Sequence, residues 1–265
     1  MPEGHTIHRI ARNHGKLING CAVAVSSPQG RFADDAARVD GAVLDHIEAY
    51  GKHLFYHWDT GEIGHVHLGL FGKYTVTKGD EIPEPRGALR MRLTVPGVTI
   101  DLRGPTACTV DPPDAREKIV ARLGPDPLRR DGRPEPFIAK VQRSKRGIGD
   151  LLMDQAVIAG VGNVYRAEAL FVLGFHPERP GTSLEESELR ALWNTVQGML
   201  RAGVKSGRII TVDRQELGLA PGQRIPNRDG RYAYKRRACL RCGTEIERME
   251  IQNRTSYHCP TCQPD

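Results

Sequence analysis

Four cysteines close to the C-terminus have the spacing of a metal site. Cys239 and Cys242 form one C-x2-C pair, and Cys259 and Cys262 form a second pair after sixteen intervening residues. Two such pairs supply the four thiolates of a tetrahedral zinc site, each pair in one tight turn. The alternative, two disulfides, needs an oxidising compartment that nothing in the sequence indicates. Because four thiolates leave no position for a water molecule, we expect one structural Zn2+ rather than a catalytic metal.

The first eight residues, MPEGHTIH, contain a candidate nucleophile. If Met1 is removed, which the small side chain of Pro2 permits, the proline has a free secondary amine and Glu3 stands next to it. An amine beside a carboxylate can attack an electrophilic carbon and exchange protons with the adduct. The alternative is structural, because proline suits the first turn of a helix, where its missing amide hydrogen costs nothing. The start of the chain does not by itself decide between the two.

The composition favours a soluble protein with an anionic partner. The chain has 265 residues, enough for two domains, with a hydrophobic fraction of 39% and a mean hydropathy of −0.44. No apolar run approaches the roughly 20 residues of a membrane span, and the N-terminus lacks a signal-peptide pattern, so we expect a cytosolic protein. The net charge of +6 and the pI of about 9.1 favour a polyanionic partner.

Positive charge is concentrated around the cysteines. The basic residues of this stretch are Arg231, Lys235, Arg236, Arg237, Arg241, Arg248 and Arg254. Such a run is often only a solvated surface, but here it encloses a metal motif. Within NRTSYHCPTC, Arg254 precedes the second cysteine pair by five positions. If this loop is a β-hairpin, its end would hold the arginine rigidly against a phosphate.

The first half of the chain has the pattern of a β domain behind one helix. Ile7, Ile10 and Ala11 have helical spacing within residues 3–14, and Gly15 is expected to end that helix. HLFYHWDTGEIGHVHLGLFG and ALRMRLTVPGVTIDLRG each contain two strand-like runs around a turn. Several short strands with such turns predict a β-sandwich or barrel.

The second half is predominantly helical. The Pro- and Gly-rich segment LGPDPLRRDGRPEPF is typical of a linker. Ser183 and Glu186 have the spacing of a capping box in front of an apolar helical stripe. The stripe, which predicts a core face, consists of Leu189, Leu192, Trp193, Val196 and Leu200. LGLAPGQRIPNRDG predicts a polar loop.

A glycine-rich turn separates two helical runs in DLLMDQAVIAGVGNVYRAEALF. Gly160 and Gly162 permit close approach of the backbone, and Asn163 is expected to cap the second helix. Free amides at a helix N-terminus together with an asparagine side chain form an anion site. Most such turns only form corners, but beside a basic zinc segment this one is a candidate phosphate site.

Together these motifs resemble the formamidopyrimidine-DNA glycosylase/endonuclease VIII family of base-excision repair enzymes. The matching segments occur in the family's order over nearly the whole chain. They are MPEG, YGKHLF, HLGLFG, MDQAVIAGVGNVYRAEALF with GFHP, and CLRCG with RTSYHCPTCQ. The resemblance implies an α+β fold: an N-terminal helix with a β-sandwich, a helix–two-turn–helix domain and a β-hairpin zinc finger. We place the N-terminal domain at 1–127, a linker at 128–138, the helical domain at 139–232 and the finger at 233–265.

The resemblance also implies a reaction at the N-terminus. In this family the initiator methionine is removed and the proline amine, here that of Pro2, attacks C1′ of the damaged nucleotide. The resulting iminium acidifies the C2′ proton, so that the 3′ phosphate and usually the 5′ phosphate are eliminated. Glu3 matches the proton-transfer carboxylate. Lys52 matches a lysine that contacts the phosphate near the lesion.

Further residues match the family's DNA contacts. Phosphate contacts that bend the duplex while the target nucleotide is extruded are matched by His67, Asn163 and Arg254. We also expect Arg254 to take part in catalysis together with Lys52. Leu70 and Phe71 lie where the family carries its apolar wedge, although either could be an ordinary strand residue. The expected partner is damaged double-stranded DNA, bound by a monomer without membrane association.

Departures from the family pattern bear on the substrate. Thr6 stands where many members carry another glutamate, so the proton relay is incomplete or uses His5. PEG at the start favours the endonuclease VIII branch, and LRGPTAC offers Arg103 without the phenylalanine that the oxidised-purine branch inserts opposite the lesion. We therefore expect oxidised pyrimidines and abasic sites as substrates. The alternatives are an oxidised-purine glycosylase, a catalytically silent damaged-DNA-binding protein and a zinc-ribbon RNA-binding protein.

Overall fold

The computed structural model describes residues 2–220, 223–226 and 229–265. The chain forms two compact units, Met1–Arg122 and Leu123–Asp265. Among the described residues, no helix is long and apolar enough to cross a membrane.

The first unit is a β-sandwich with a long N-terminal helix. Its helices are α1 (Gly4–Ile18), α2 (Ala33–Val39) and α3 (Ala115–Val120). Its strands are β1 (Ala24–Ser26), β2 (Leu44–Tyr50), β3 (His53–Trp58), β4 (Ile63–His67), β5 (Lys73–Lys78), β6 (Leu89–Val95), β7 (Val98–Arg103) and β8 (Ala107–Asp111). They pair antiparallel in two four-stranded sheets, in the orders β1-β6-β7-β5 and β2-β3-β4-β8.

The sandwich core follows from alternation along the strands. Leu54 and Tyr56 of β3, together with Ile100 and Leu102 of β7, belong to one buried cluster because every second side chain faces the same way. Both predicted hairpins are confirmed, β3–β4 and β6–β7. The α1 helix packs on β2 and β3 and adds Ile7 to the same core.

The predicted end of α1 was wrong. Gly15 lies inside the helix, which continues to Ile18, and the backbone turns away only at Gly20, whose φ is +75°. One glycine in a helix interior costs less than about 1 kcal/mol, and the burial of Ile18 offsets this.

The second unit is helical and ends in a β-hairpin. Its helices are α4 (Pro134–Gln142), α5 (Ile148–Leu151), α6 (Asn163–Leu173) and α7 (Glu186–Ser206), with a 3-10 turn at Gly181–Ser183 before α7. Its strands are β9 (Glu247–Ile251) and β10 (Arg254–His258). The predicted stripe on α7 is confirmed as a core face, since all five of its residues are buried.

Three local predictions for this unit were wrong. The capping box before α7 consists of Glu185 and Glu188, because Ser183 closes the 3-10 turn by donating to the Pro180 carbonyl at 2.8 Å. Residues 134–138 of the predicted linker are helical, since Pro134 begins α4. The first helical run of the glycine-rich segment is only the four-residue α5, followed by turns. The predicted loop LGLAPGQRIPNRDG lies partly outside the described residues.

Candidate functional site

Pro2 lies outside the helix that follows it. α1 begins at Gly4 with Glu3 as its N-cap, and the Glu3 carbonyl accepts hydrogen bonds from the amides of Thr6, at 2.8 Å, and Ile7. Proline therefore does not serve as a first-turn residue here, which removes the structural explanation of its position. The Glu3 residue is completely buried and its side chain makes no capping hydrogen bond.

A cavity of about 450 Å³ opens beside Pro2. One wall is a face of α1 that carries Thr6, Ile10 and His14 at every fourth position, and Pro2 lies before this row. The lining consists of Pro2, Thr6, Ile10, His14, Leu68, Gly72, Lys73, Tyr74 and Val76. Pro2 thus lines a cavity whose wall is largely apolar.

The residues that follow Glu3 carry a second proton-accepting group. His5 is buried, and its Nε2 lies 3.2 Å from Thr6 Oγ1. Burial lowers the pKa of His5 to about 4, so the ring is neutral near pH 7. The structure thus joins Thr6, which departs from the family pattern, to His5 in one hydrogen bond.

Leu70 and Phe71 form an exposed apolar tip, which we call the wedge tip. Leu70 is 53% exposed and Phe71 is 84% exposed, far more than ordinary sandwich residues. The tip is a tight turn between β4 and β5, in which the Gly72 amide donates to the Leu68 carbonyl at 2.9 Å. A Cβ at Gly72 would collide with that carbonyl, so the turn requires glycine.

The base of the wedge tip is held by the loop after β7. The Thr106 amide donates to the His67 carbonyl at 2.9 Å. Gly69 adopts a φ of +63°, and a Cβ at this position would collide with the Thr106 side chain. The wedge tip is therefore fixed at its base while its two side chains project into solvent.

Lys52 and His67 lie at the same end of the two central strands of the second sheet, β3 and β4. Lys52 lies in the tight turn between β2 and β3, and the next residue, His53, is paired with His67 across β3 and β4. Burial lowers the pKa of His67, and the charge of Lys52 lowers it further. The structure thus brings together two predicted phosphate contacts that are fifteen positions apart in the sequence.

Arg103 has structural partners at the end of β7. Its guanidinium donates to Asp101 Oδ2 at 2.9 Å and to the Arg86 carbonyl at 2.9 Å. Asp101 also receives a bidentate pair from the buried Arg92, with Nε–Oδ1 at 2.7 Å. The neighbouring Gly104 lies close to Phe71, so Arg103 is next to the wedge tip. Some of the N–H groups of Arg103 are already hydrogen-bonded to Asp101 and to the Arg86 carbonyl.

The second unit joins the start of α6 to the hairpin. Asn163 is the first residue of α6 rather than its cap, which is Gly162. The Asn163 Nδ2 donates to the Thr255 carbonyl at 2.9 Å, and Arg166 donates to both Asn163 Oδ1 and the Thr255 carbonyl. The predicted cap was wrong because the asparagine side chain reaches across to β10 instead of back to its own helix.

The β9–β10 hairpin presents Arg254 at its tip. Gln252 and Asn253 have φ values of 50° and 56°, which is the type I′ turn that fits the twist of a two-residue hairpin. Ile251 and Arg254 close the turn, and Arg254 is exposed. Because Asn163 holds the adjacent Thr255, the arginine is fixed close to the N-terminus of α6.

The four cysteines fit a zinc ion. Bonds of about 2.3 Å in a tetrahedron place the sulfurs about 3.8 Å apart. The Sγ–Sγ distances are 3.9 Å for Cys239–Cys262 and 3.5 Å for both Cys242–Cys259 and Cys242–Cys262, and all four atoms lie within 4.8 Å of one another. Cys239, Cys242, Cys259 and Cys262 are thus the ligands of one structural zinc ion, as predicted.

The sequence interpretation missed two buried charged residues in α6. Glu168 accepts hydrogen bonds from the amides of Tyr232, Ala233 and Tyr234, at 2.7, 3.0 and 2.8 Å, and from the Thr211 hydroxyl. Arg166 is likewise completely buried. Their signal was visible in NVYRAEALF, where two charges interrupt an otherwise apolar helix.

Three family models match successive parts of the chain. Residues 1–112 match the formamidopyrimidine-DNA glycosylase N-terminal domain. Residues 123–215 match the helix–two-turn–helix domain of the same glycosylases, and residues 238–264 match the zinc finger found in FPG and IleRS. The three matches, in this order over most of the chain, define a DNA glycosylase of the base-excision repair class.

Relatives agree over the full length of the chain. The chain is 46% identical to Endonuclease 8 1 of Mycobacterium tuberculosis and 31% identical to formamidopyrimidine-DNA glycosylase of Geobacter metallireducens, each alignment covering 99% of this chain and 100% of the relative. The MutM (Fpg) structure from Thermus thermophilus has a TM-score of 0.79 at 29% identity, covering 100% of this chain and 99% of that one. The chain belongs to the formamidopyrimidine-DNA glycosylase/endonuclease VIII family, whose members are DNA repair glycosylases with abasic-site lyase activity.

The solved relatives also reproduce the fold. Lactococcus lactis formamidopyrimidine-DNA glycosylase, non-covalently bound to DNA that contains an abasic site, has a TM-score of 0.80 at 22% identity, with 99% of this chain and 100% of that chain covered. The expected α+β architecture of sandwich, helical domain and zinc hairpin is therefore confirmed.

Proposed function

We propose that this enzyme excises oxidised pyrimidines from DNA and cleaves the strand through a covalent adduct on Pro2. One observation carries the proposal: Pro2 lies outside α1, on the wall of a cavity that the base of the wedge tip also lines. With Met1 removed, the secondary amine of Pro2 would line the cavity that receives the extruded nucleotide. Met1 itself lies outside the described residues.

The reaction follows from the chemistry of a secondary amine. The Pro2 nitrogen attacks C1′, the C1′–N bond to the base breaks, and the base leaves with a proton. Opening of the sugar ring gives a cationic iminium, which withdraws electrons and acidifies the C2′ proton. Loss of that proton expels the 3′ phosphate, a second elimination expels the 5′ phosphate, and water then releases Pro2 from the sugar fragment.

Glu3 is the group that moves protons in this scheme. It is adjacent to Pro2 and buried, so little water competes for its carboxylate. The neutral His5 ring and the Thr6 hydroxyl, joined at 3.2 Å, form a second route by which a proton can leave the site. This pair takes the place of the second glutamate found in many relatives.

The DNA is held by groups from both units. Lys52 and His67 bind phosphate beside the lesion, and Asn163 with Arg254 binds a further phosphate. Leu70 and Phe71 fill the space that the extruded nucleotide leaves, which offsets the few kcal/mol of lost stacking and pairing. Arg103, beside the wedge tip, contacts the opposite strand.

The tasks divide along the chain. Residues 1–127 carry the chemistry and the wedge, while 139–232 and 233–265 grip the backbone, with 128–138 connecting them. A DNA substrate places the enzyme in the cytoplasm, on the nucleoid of a bacterial cell, where it acts as a monomer. The 46% identity to a protein named Endonuclease 8 1 supports the preference for pyrimidine lesions.

Borohydride trapping tests the chemistry. Protein shown by mass spectrometry to begin at Pro2 is incubated with a duplex that contains an abasic site, and sodium borohydride reduces any iminium to a stable amine. We expect an adduct whose tryptic peptide carries the sugar on the Pro2 nitrogen. Lys52→Gln, which keeps the amine, is expected to give the same adduct more slowly. A mature protein that gives no adduct would remove the proposed mechanism.

A lesion panel tests the substrate. Duplexes with thymine glycol, 5-hydroxycytosine, dihydrouracil, 8-oxoguanine or formamidopyrimidine are compared under single-turnover conditions. We expect the three pyrimidine lesions to be excised at least ten times faster than the purine lesions. The reverse order would assign the enzyme to oxidised purines and leave the Pro2 mechanism intact.

A further inference from the structure

Three histidines share one face of the second sheet beside Lys52. The antiparallel register pairs His53 with His67 and Phe55 with His65, so these four rings project from the same side of β3 and β4. The His53 and His67 ring centroids are 5.0 Å apart, and those of His53 and His65 are 5.2 Å apart. Phe55 stacks on His65 at 5.3 Å.

A hydrogen bond joins the two inner rings. His53 Nδ1 and His65 Nε2 lie 2.9 Å apart. One of these nitrogens must carry a hydrogen and the other a lone pair, so the bond cannot form when both rings are protonated. His65 is 9% exposed, and its place against Phe55 holds the acceptor or donor in position. The pair therefore fixes the orientation of His53, on which the His67 ring packs, and couples the tautomer of His53 to that of His65.

The surroundings keep the rings uncharged. Burial lowers the pKa of His53 to about 3 and that of His65 to about 4, and it also lowers the pKa of His67. The charges of Lys52 and Arg122 lower the pKa of His53 further, whereas Asp111 of β8 opposes the shift at His65. Near pH 7 the Lys52 ammonium thus lies close to the neutral ring of His67.

We propose that the hydrogen-bonded pair His53–His65 positions His67 as an uncharged N–H donor to the DNA phosphate that Lys52 neutralises. The inference rests on the proposed function, which assigns that phosphate to His67. The two groups at this phosphate would then have separate tasks. The Lys52 ammonium attracts the phosphate over a long range, and the fixed His67 ring sets the orientation of the hydrogen bond to it. His53 and His65 are positioning residues, since they act through His67.

Salt dependence separates the two tasks. Each cation that neutralises a phosphate releases counterions, so removing one reduces the slope of log K against log salt by about 1. A neutral donor releases none, although its loss weakens binding at every salt concentration. We therefore expect Lys52→Gln to lower the slope by about 1, and His67→Leu, which removes the donor, to weaken binding by up to about tenfold with an unchanged slope.

The experiment measures binding of these variants to a duplex with a tetrahydrofuran abasic-site analogue, which has no C1′ leaving group, between 50 and 300 mM KCl. His65→Leu removes the bond to His53, and we expect about fivefold weaker binding with an unchanged slope. His65→Gln, whose amide can replace the ring nitrogen, is expected to recover most of this loss. His46→Leu is the matched control, because His46 belongs to a separate stacked pair with His57 at 4.0 Å.

Ring 15N shifts of histidine-labelled protein provide a reading that does not depend on DNA. We expect a neutral ring for His67 near pH 7, and for His53 the Nδ1 shift of a hydrogen-bonded nitrogen, which is lost in His65→Leu. A protonated His67, or a slope that falls as much in His67→Leu as in Lys52→Gln, would overturn the proposal. Failure of the wild-type protein to prefer the abasic duplex would instead count against the proposed function, while the 15N result would still test the histidine pair.

Discussion

The two units control their buried polar groups by different means. Eight of the ten histidines lie in Met1–Arg122, where burial lowers the pKa of His5, His14 and His65 to about 4. Leu123–Asp265 instead gathers four of the six cysteines around zinc and satisfies Glu168 with backbone amides. Burial keeps these three rings of the first unit neutral near pH 7, and the second unit compensates the charge of its thiolates with a metal and that of Glu168 with hydrogen bonds. Acid should therefore weaken the first unit and chelation the second.

The exposed turns of the two units show the same contrast. The wedge tip and the β9–β10 turn are both tight turns whose backbone requires left-handed residues, Gly69 in one and Gln252 with Asn253 in the other. One turn presents an apolar ring that is 84% exposed, and the other presents an arginine. The turn provides rigidity, and under the proposed function the side chain at its end would decide between stacking on bases and binding phosphate.

Zinc removal should give the largest effect, confined to the second unit. Cys242→Ser or a strong chelator removes a metal whose binding contributes roughly 10 kcal/mol or more to the folding of small zinc domains. We expect the hairpin to unfold and DNA binding to fall at least 100-fold, measured by zinc content and fluorescence anisotropy. Cys108→Ser, in the buried core of the first unit, should retain zinc and DNA binding. Loss of binding in both variants would contradict this assignment.

Acid should destabilise the first unit by several kcal/mol. Unfolded histidines bind protons below pH 6.5, whereas folded His5, His14 and His65 stay neutral down to about pH 4. The contribution of these three rings to stability is therefore complete above pH 6.5. As the pH decreases towards 4, the free energy of unfolding falls, by about 2 kcal/mol for each ring at pH 5.

The two tryptophans allow this to be measured in each unit. Trp58 is buried in the first unit and Trp193 in the second. Urea unfolding of Trp193→Phe reports on the first unit, and unfolding of Trp58→Phe reports on the second. Between pH 7 and pH 5 the Trp58 transition should move to lower urea by more than the Trp193 transition. Equal shifts would show that the buried rings do not control acid stability.

A pair of isosteric changes should each affect one unit by about 3 kcal/mol. Glu168→Gln places an amide NH2 against backbone N–H donors, and Asp101→Asn leaves the buried Arg92 without its counter-charge. The same single-tryptophan variants should show Glu168→Gln in the Trp193 transition and Asp101→Asn in the Trp58 transition. A loss of stability that appears in both transitions would mean that the units unfold together.

Truncating the wedge tip should have the smallest effect on stability. Phe71→Ala removes a ring that is 84% exposed, so the free energy of unfolding should change by less than about 0.5 kcal/mol. Excision from a duplex should fall by about tenfold, because the ring no longer fills the vacated stack. Ile82→Ala, at an exposed apolar position outside the lining of the Pro2 cavity, is the comparison. An excision rate unchanged in Phe71→Ala would assign the wedge role to Leu70 alone.

Features that depend on neighbours in the chain could be predicted from the sequence. The zinc ligands follow from two short spacings, and the hairpins follow from alternation around Asp59–Gly61 and Pro96–Gly97. The end of α1 and the caps of α6 and α7 could not, because several nearby residues can end or cap a helix. Packing decided among them: Ile18 extends α1 into the core, and Asn163 turns to β10.

The sequence by itself therefore determined the metal site and the order of the elements, which rest on patterns within about twenty positions. Only the tertiary structure decided which of them act together. The bond from Asn163 to Thr255 spans 92 positions, Glu168 reaches Tyr232 across 64, and His53 meets His65 only because β3 pairs with β4 in one register. Such contacts have no local signal, since they depend on the packing free energy of whole elements rather than on the preferences of single residues.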